Sequence, residues 1–258
     1  MTKLLNIDAN AKTVKGQKKG YMTAILYLAP YKLSGVNLCP MAEQAGCWET
    51  CLNTAGRGGI SKTTMQSPGG LTVPDNAIQH ARLARTMMWI QERDRFLSQL
   101  YKEIEKFIAK AERKGLIPVV RLNGTSDIQW EKVLMPGDEM QTIFDLFPEV
   151  QFYDYTKIAK RLSRPLPDNY YLCLSYSEAS KKYERSVTAA WNKGASVVHV
   201  VRNEAAKKIY VDGTLFGPHA NIVDGDEHDL RFLDPANSVV VLKAKGQAAK
   251  ETNGFVLD

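Results

Sequence analysis

From Leu116 onward the chain alternates short, nearly continuous apolar runs with longer stretches of mixed polarity. The runs are Leu116–Asn123, Val150–Tyr155, Tyr170–Ser175, Ser196–Val201 and Ser238–Lys243, and Tyr21–Ala29, stopped by Pro30, precedes them. Their length and their β-branched and aromatic content predict strands, and the lack of polar alternation predicts strands covered on both faces, as in a parallel sheet. Phe96, Leu97, Leu100, Tyr101, Ile104, Phe107, Ile108 and Ala111 recur at three and four residues, within a helical region expected from Pro74-Asp75 to Gly115. On that region Arg82, Arg85, Arg93 and Arg95 are expected on a solvated surface. Further helical material is expected from Trp130 to Phe147, interrupted at Pro136-Gly137, then through Arg161, and from about Ser177 to Lys193. The resulting fold class is α/β, a single domain whose mostly parallel sheet forms an open or partial (β/α) barrel. Residues 1–20 are expected to be a basic N-terminal arm, residues 21–258 the domain, and residues near 202–233 an irregular insertion.

Composition changes this picture little. A chain of 258 residues suffices for one large core, and 44% hydrophobic with 24% charged residues is ordinary for a globular protein. The net charge of +6 permits nucleic-acid contact. Lys12, Lys15, Lys18 and Lys19 concentrate that charge, but no aromatic residues alternate with them, so a solvated arm is the leading reading and a nucleic-acid contact the other. No apolar run reaches 18 residues, and the N-terminus lacks the apolar core of a signal peptide. The expectation is a cytosolic protein, in the host cytoplasm if it comes from a phage, with no membrane partner and with reduced thiols.

Three of the four cysteines, Cys39, Cys47 and Cys51, fall as C-x7-C-x3-C directly after the first predicted strand. If 47–51 is helical, Cys47 and Cys51 share a face and Cys39 can fold back onto them. Three converging thiolates are metal-ligand chemistry, and ligand count separates the metals. Structural zinc takes four ligands and would have to recruit Cys173, His80, His199, His219 or His228. An iron–sulfur cluster on three thiolates leaves one iron open. Three reduced thiols without a metal are the remaining reading. Cys173 lies inside an apolar run and reads as core.

In parallel α/β folds ligands gather at the C-terminal ends of the strands. There this chain carries Arg121, Asn123, Ser126 and Asp127, then Tyr155 and Lys157, then Ser175, and finally Lys243 and Lys245. Asp127, Tyr155 and Lys157 are the catalytic candidates. Asp127 or Tyr155 would handle protons, and Arg121, Lys157, Lys243 and Lys245 would hold an anionic substrate. Each also has a structural reading as a cap, turn or packing residue, and it is their recurrence on one rim that suggests a site. Asp224-Gly225-Asp226-Glu227-His228-Asp229 reads either as an oxygen-ligand cation site or as an acidic surface turn. The glycines from Gly56 to Gly70 match no phosphate-binding fingerprint, and no hydrolase nucleophile motif occurs.

Leu38-Cys39-Pro40, Cys47 to Cys51 running into Leu52-Asn53-Thr54-Ala55-Gly56-Arg57-Gly58, Arg121 to Ile128, Phe152 to Lys157, Asp224-Gly225-Asp226 and Leu242 to Gly246 together resemble an uncharacterised family of bacteriophage proteins. That likeness covers most of the chain from Leu38 and implies no reaction. A more distant likeness points to chemistry: a three-cysteine loop after the first strand of a parallel partial barrel resembles radical SAM enzymes. It implies a [4Fe-4S] cluster on Cys39, Cys47 and Cys51 with S-adenosylmethionine at the open iron. Asn123, Ser126, Asp127 and Ser175 would then face the cofactor, with Lys243 and Lys245 also on the cofactor-binding side. The spacing is wider than the usual C-x3-C-x2-C. The function expected is redox or radical chemistry on a small molecule or nucleotide. The alternative is a zinc-stapled factor that binds nucleic acid or a host protein without catalysis.

Overall fold

A computed structural model describes residues 3–8, 10–212 and 221–258. Eight strands form one sheet: β1 (Leu5–Ile7), β2 (Tyr21–Leu26), β3 (Ile117–Arg121), β4 (Gln151–Thr156), β5 (Tyr170–Ser175), β6 (Val197–Val201), β7 (Asn221–Asp224) and β8 (Ser238–Lys243). Their spatial order is β1-β2-β3-β4-β5-β6-β8-β7. Every neighbouring pair is parallel except β1 with β2. Near-sequential parallel order requires a crossover after each strand, and most crossovers carry helix: α2 (Ala77–Gln91) and α3 (Arg93–Glu112) before β3, α4 (Ile143–Leu146) before β4, α5 (Lys181–Trp191) before β6, and α6 (Glu204–Val211) before β7. The remaining helix, α1 (Ala11–Gln17), joins β1 to β2.

The six apolar runs become strands because alternate residues of each find apolar partners on opposite faces. Val120, Phe152, Leu172 and Tyr170 pack with Phe96, Leu100, Ile104 and Phe107 of α3. Val197, Val201, Val239 and Val241 pack with Tyr183 and Val187 of α5. On the other face Tyr155, Tyr171, Cys173, Val198, Val240 and Leu242 cluster together. Segment 225–234 reaches this second face: Asp229 accepts hydrogen bonds from Tyr153 and Tyr155, and the ring of Phe232 meets those of Tyr21 and Tyr153. A sheet covered on both faces explains why its strands show no polar alternation. Cys173 is fully buried in β5, as its apolar surroundings predict.

Four expectations are corrected. The helical region from 74 to 115 divides at Glu92, whose φ of −133° and ψ of 51° leave the helical basin, giving α2 and α3. Arg82 and Arg85 are buried, 7% and 8% exposed, because each donates to main-chain carbonyls of neighbouring segments. Residues 130–147 are a 3₁₀ turn, a small antiparallel hairpin of Leu134–Met135 with Asp138–Thr142, and the four-residue α4; Gly137, at φ 83°, turns the hairpin. The region near 202–233 is less irregular than expected, since it contributes α6 and the edge strand β7. Residues 213–220, including His219, lie outside the described residues.

Among the residues expected as a basic N-terminal arm, Leu5–Ile7 join the sheet as β1 and Lys12 and Lys15 lie on α1. Leu4 and Leu5 are buried at 0% and 1% exposure, and Asn10 caps α1 in a capping box with Thr13. Among the described residues no helix is long and apolar enough to cross a membrane.

Candidate functional site

The cysteine loop leaves the C-terminal end of β2 and is tied to the loop after β3. The Asp127 amide donates to Leu38 O at 2.8 Å, Thr125 Oγ1 donates to Leu28 O at 2.6 Å, and the Gly124 amide donates to Leu26 O at 3.0 Å. Glycine is required at 124 because a Cβ there would stand 2.7 Å from side-chain atoms of Ile25 and Tyr27. Close approach of the two loops is therefore written into the Arg121-Leu122-Asn123-Gly124 sequence.

The condition that residues 47–51 be helical is not met. The segment is a turn, and Cys51 caps the 3₁₀ turn Leu52–Thr54 by accepting the Asn53 amide on sulfur at 3.5 Å. The positions of the thiols are set instead by the ties between the two loops. Burial pushes all three pKa values up, Cys39 well above its ordinary value and Cys51 to about 11. Negative charge on Cys51 or Cys47 acts in the same direction at Cys39, as does Cys47 at Cys51. Lys157 opposes burial at both Cys47 and Cys51, and Arg82 does so at Cys51. Cys39 Sγ lies 3.8 Å from Thr125 O and Cys47 Sγ 3.8 Å from Ala42 O.

Three rim candidates adjoin this cluster. Lys157 donates through Nζ to Ser175 Oγ at 2.8 Å, and its backbone amide donates to Asp127 Oδ2 at 2.8 Å. Asp127 also accepts from Thr156 and from Arg161, which grips Glu131 with a second pair of nitrogens. Burial raises the Asp127 pKa against the opposing pull of Arg161. Asn123 and Ser126 serve the loop: the Asn123 side-chain oxygen accepts from Ser126 Oγ and the Ile128 amide, and its amide nitrogen donates to Ile128 O.

The other candidates lie elsewhere. Tyr155 donates to Asp229 at 2.9 Å on the sheet face covered by segment 225–234, where Arg121 reaches the same carboxylate at 3.2 Å. Lys243 pairs with Glu204 at 2.8 Å, and Lys245 stands 3.7 Å from Asp226. The Asp224 to Asp229 run, weighed as a cation site, has most of its carboxylates engaged by the protein's own cations. Lys12 lies 2.7 Å from Asp226, Lys207 is 2.6 Å from Asp224 and 3.3 Å from Asp226, and Arg121 holds Asp229. Burial acts to raise the Asp226 pKa, but the lysines and the Lys243 amide outweigh it and bring the value far below the ordinary range. Among the described residues no three His, Cys, Asp or Glu side chains form a group able to hold a metal ion. Two of the histidines considered as further ligands have their own partners, His80 with Asp75 and His228 with the Leu230 amide, and the ring of His199 stacks on Tyr176.

The residues missed in sequence lie beneath the loop. Arg82 Nη1 donates to both Asn53 O and Asn53 Oδ1 at 2.6 Å, and Gln79 donates to Asn53 O and Gly58 O at 2.9 Å. A Cβ at Gly59 would stand 2.0 Å from Thr54 O. The polar residues Gln79, Arg82 and Thr86, at spacings of three and four on α2, were the available signal.

Residues 3–258 match the family described as Gene product 88. The chain belongs to that family. The match spans nearly the whole sequence and agrees with the likeness to an uncharacterised phage-type family. No curated protein and no solved structure matches the chain.

Proposed function

We propose that Cys39, Cys47 and Cys51 hold an iron–sulfur cluster at the C-terminal end of the sheet, in the mouth of a partial barrel, for redox or radical chemistry on a small molecule or nucleotide. The observation that supports the reading is the placement of three free, half-buried cysteines in one loop, which the Asp127 amide and Thr125 hydroxyl tie to the strand ends where parallel folds bind ligands. The chemistry of the donors fits: a cluster spreads its thiolates over separate irons, so the ligand sulfurs need not crowd one point as they must around zinc. When bound, such a cluster supplies one-electron transfer and, with an open iron, a place for S-adenosylmethionine.

The protein's own groups have definable parts in this reading. Burial keeps the free thiols protonated, so loading releases protons and is favoured by rising pH. Lys157, fixed by Ser175 and by Asp127 through its backbone, offsets the negative charge of the thiolates. Asp127, with its oxygens occupied by Thr156, Arg161 and Lys157, orients that lysine. The binding-factor alternative has less support, because Lys12 and Lys15 of the basic stretch are bonded to Gly225 and Asp226.

The test is anaerobic purification of the native protein and its Cys39→Ala, Cys47→Ala and Cys51→Ala variants, with iron, acid-labile sulfide and zinc quantified alongside the visible spectrum. Matched iron and sulfide, lost in each variant, is the expected result. Stoichiometric zinc without iron, or no metal in a folded protein, would exclude the proposal.

A further inference from the structure

A cavity of about 150 Å³ opens beside the cysteine loop, and Cys51 is the one cysteine that lines it. Tyr31 and Trp48 stand in its wall, their rings stacked with centroids 5.3 Å apart and planes at 27°. Leu33, Leu71 and Val73 supply apolar lining, and Glu49, Thr54 and Thr72 bring hydrogen-bonding groups. The wall is held in place at a conformational cost. Tyr31 has φ +45°, the left-handed region that a bulky residue avoids, and its hydroxyl donates to Glu43. Trp48 keeps 36% of its surface exposed despite the stacking, so indole surface remains for a ligand. On the Cys47 side the loop is covered: Asn253 donates to Gly46 O, Ser177 donates to Ala45 O, and Cys47 packs into the apolar cluster that holds Leu257. Of the two cavities beside the loop, the one on the Trp48 side is the one that Cys51 lines.

We infer that this cavity takes a single nucleobase, stacked on Trp48 with its polar edge toward Glu49 and Thr54. The volume decides the class. It falls below the roughly 300–1,000 Å³ of pockets that enclose drug-sized ligands, so it accepts one ring system while a sugar and phosphate stay outside. A flat aromatic wall with polar groups at the edge is the arrangement that stacks bases while tolerating their identity. The inference deepens the cluster reading and rests on it for its consequence, a base held beside Cys51; binding itself needs no metal.

The test is equilibrium dialysis of adenosine, guanosine, cytidine and uridine monophosphates, and of a short single-stranded oligonucleotide, against native protein, Trp48→Ala and Leu71→Trp, with iron measured on the same samples. Saturable binding is expected, about tenfold weaker in Trp48→Ala and abolished in Leu71→Trp, where the larger ring fills the cavity. Trp48 is exposed at the surface, so its variant reports on stacking even if Leu71→Trp fails to fold. Binding of the mononucleotides identifies a free nucleotide as the source, and binding of the oligonucleotide alone identifies a polymer. No saturable binding of either, or binding unchanged in Trp48→Ala, would overturn the inference. Base binding without iron would leave it standing while removing the cluster, and iron without base binding would do the reverse.

Discussion

Individual side chains here matter most where charge is buried. Asp229 accepts from Tyr153 and Tyr155 at 2.9 Å and pairs with Arg121 at 3.2 Å. Burial acts to raise its pKa, but Arg121, Lys12 and Arg231 outweigh burial and hold the carboxyl below its ordinary value. Asp229→Asn should destabilise the protein by about 2 kcal/mol in urea unfolding at neutral pH, since Tyr153 and Tyr155 lose their charged acceptor and Arg121 keeps only Asp154, at 3.9 Å. His199 gives a pH signature of the opposite kind. Burial brings its pKa down from 6.5 to about 4. As pH falls from 6.5 toward 4 the unfolded chain takes a proton that the folded chain refuses, so stability is lost in that window. Asp154 and Asp234, pushed up by burial to about 6, act in the other direction over the same range. The comparison is therefore between native protein and His199→Phe: denaturation midpoints at pH 7 and pH 5 should show a drop on acidification that is smaller in the variant by about 1–2 kcal/mol.

Among the elements, the cysteine loop depends most on its neighbours. Its own turn hydrogen bonds are supplemented by α2, through Gln79 and Arg82 on the Asn53 side chain and carbonyl. Arg82→Met should leave α2 intact, because methionine is a good helix former, while the segment from 51 to 59 loses its anchor. Hydrogen exchange should show faster amide exchange over those residues and little change over α3. Gly59→Ala acts on the same segment by a clash, since its Cβ would meet Thr54 O at 2.0 Å. Its cost should be at least about 2 kcal/mol, read from the thermal midpoint, and metal content should fall with it.

For the whole molecule, the N-terminal stretch is as much a part of the sheet as any later strand. Leu4 and Leu5 are buried, β1 pairs with β2, and Lys12 joins α1 to the turn after β7 through Asp226 at 2.7 Å and Gly225 O at 3.0 Å. That contact spans more than 200 residues of sequence and links segments next to the two edge strands. Deleting residues 1–20 should lower stability by at least about 3 kcal/mol, on the burial of the two leucines alone. Soluble yield and chemical denaturation of the truncated chain check this; an unchanged midpoint would mean that the stretch is a dispensable arm.

The apolar runs by themselves determined six of the eight strands, the parallel α/β class and the core position of Cys173. Burial on both faces imposes a composition that no other local environment mimics. The cysteine spacing likewise marked the loop. Tertiary structure decided what local pattern could not reach. β1 and β7 are three and four residues long, too short to show an apolar run, and are fixed by pairing with β2 and β8. The helix that would have aligned Cys47 and Cys51 does not form, so ties between loops set where the thiols stand. The acidic run could not be told from a cation site until Lys12, Lys207 and Arg121 arrived from remote segments to engage it. Arg82 and Arg85 look solvated in sequence and are buried in the fold, where carbonyl oxygens of distant segments accept their hydrogen bonds.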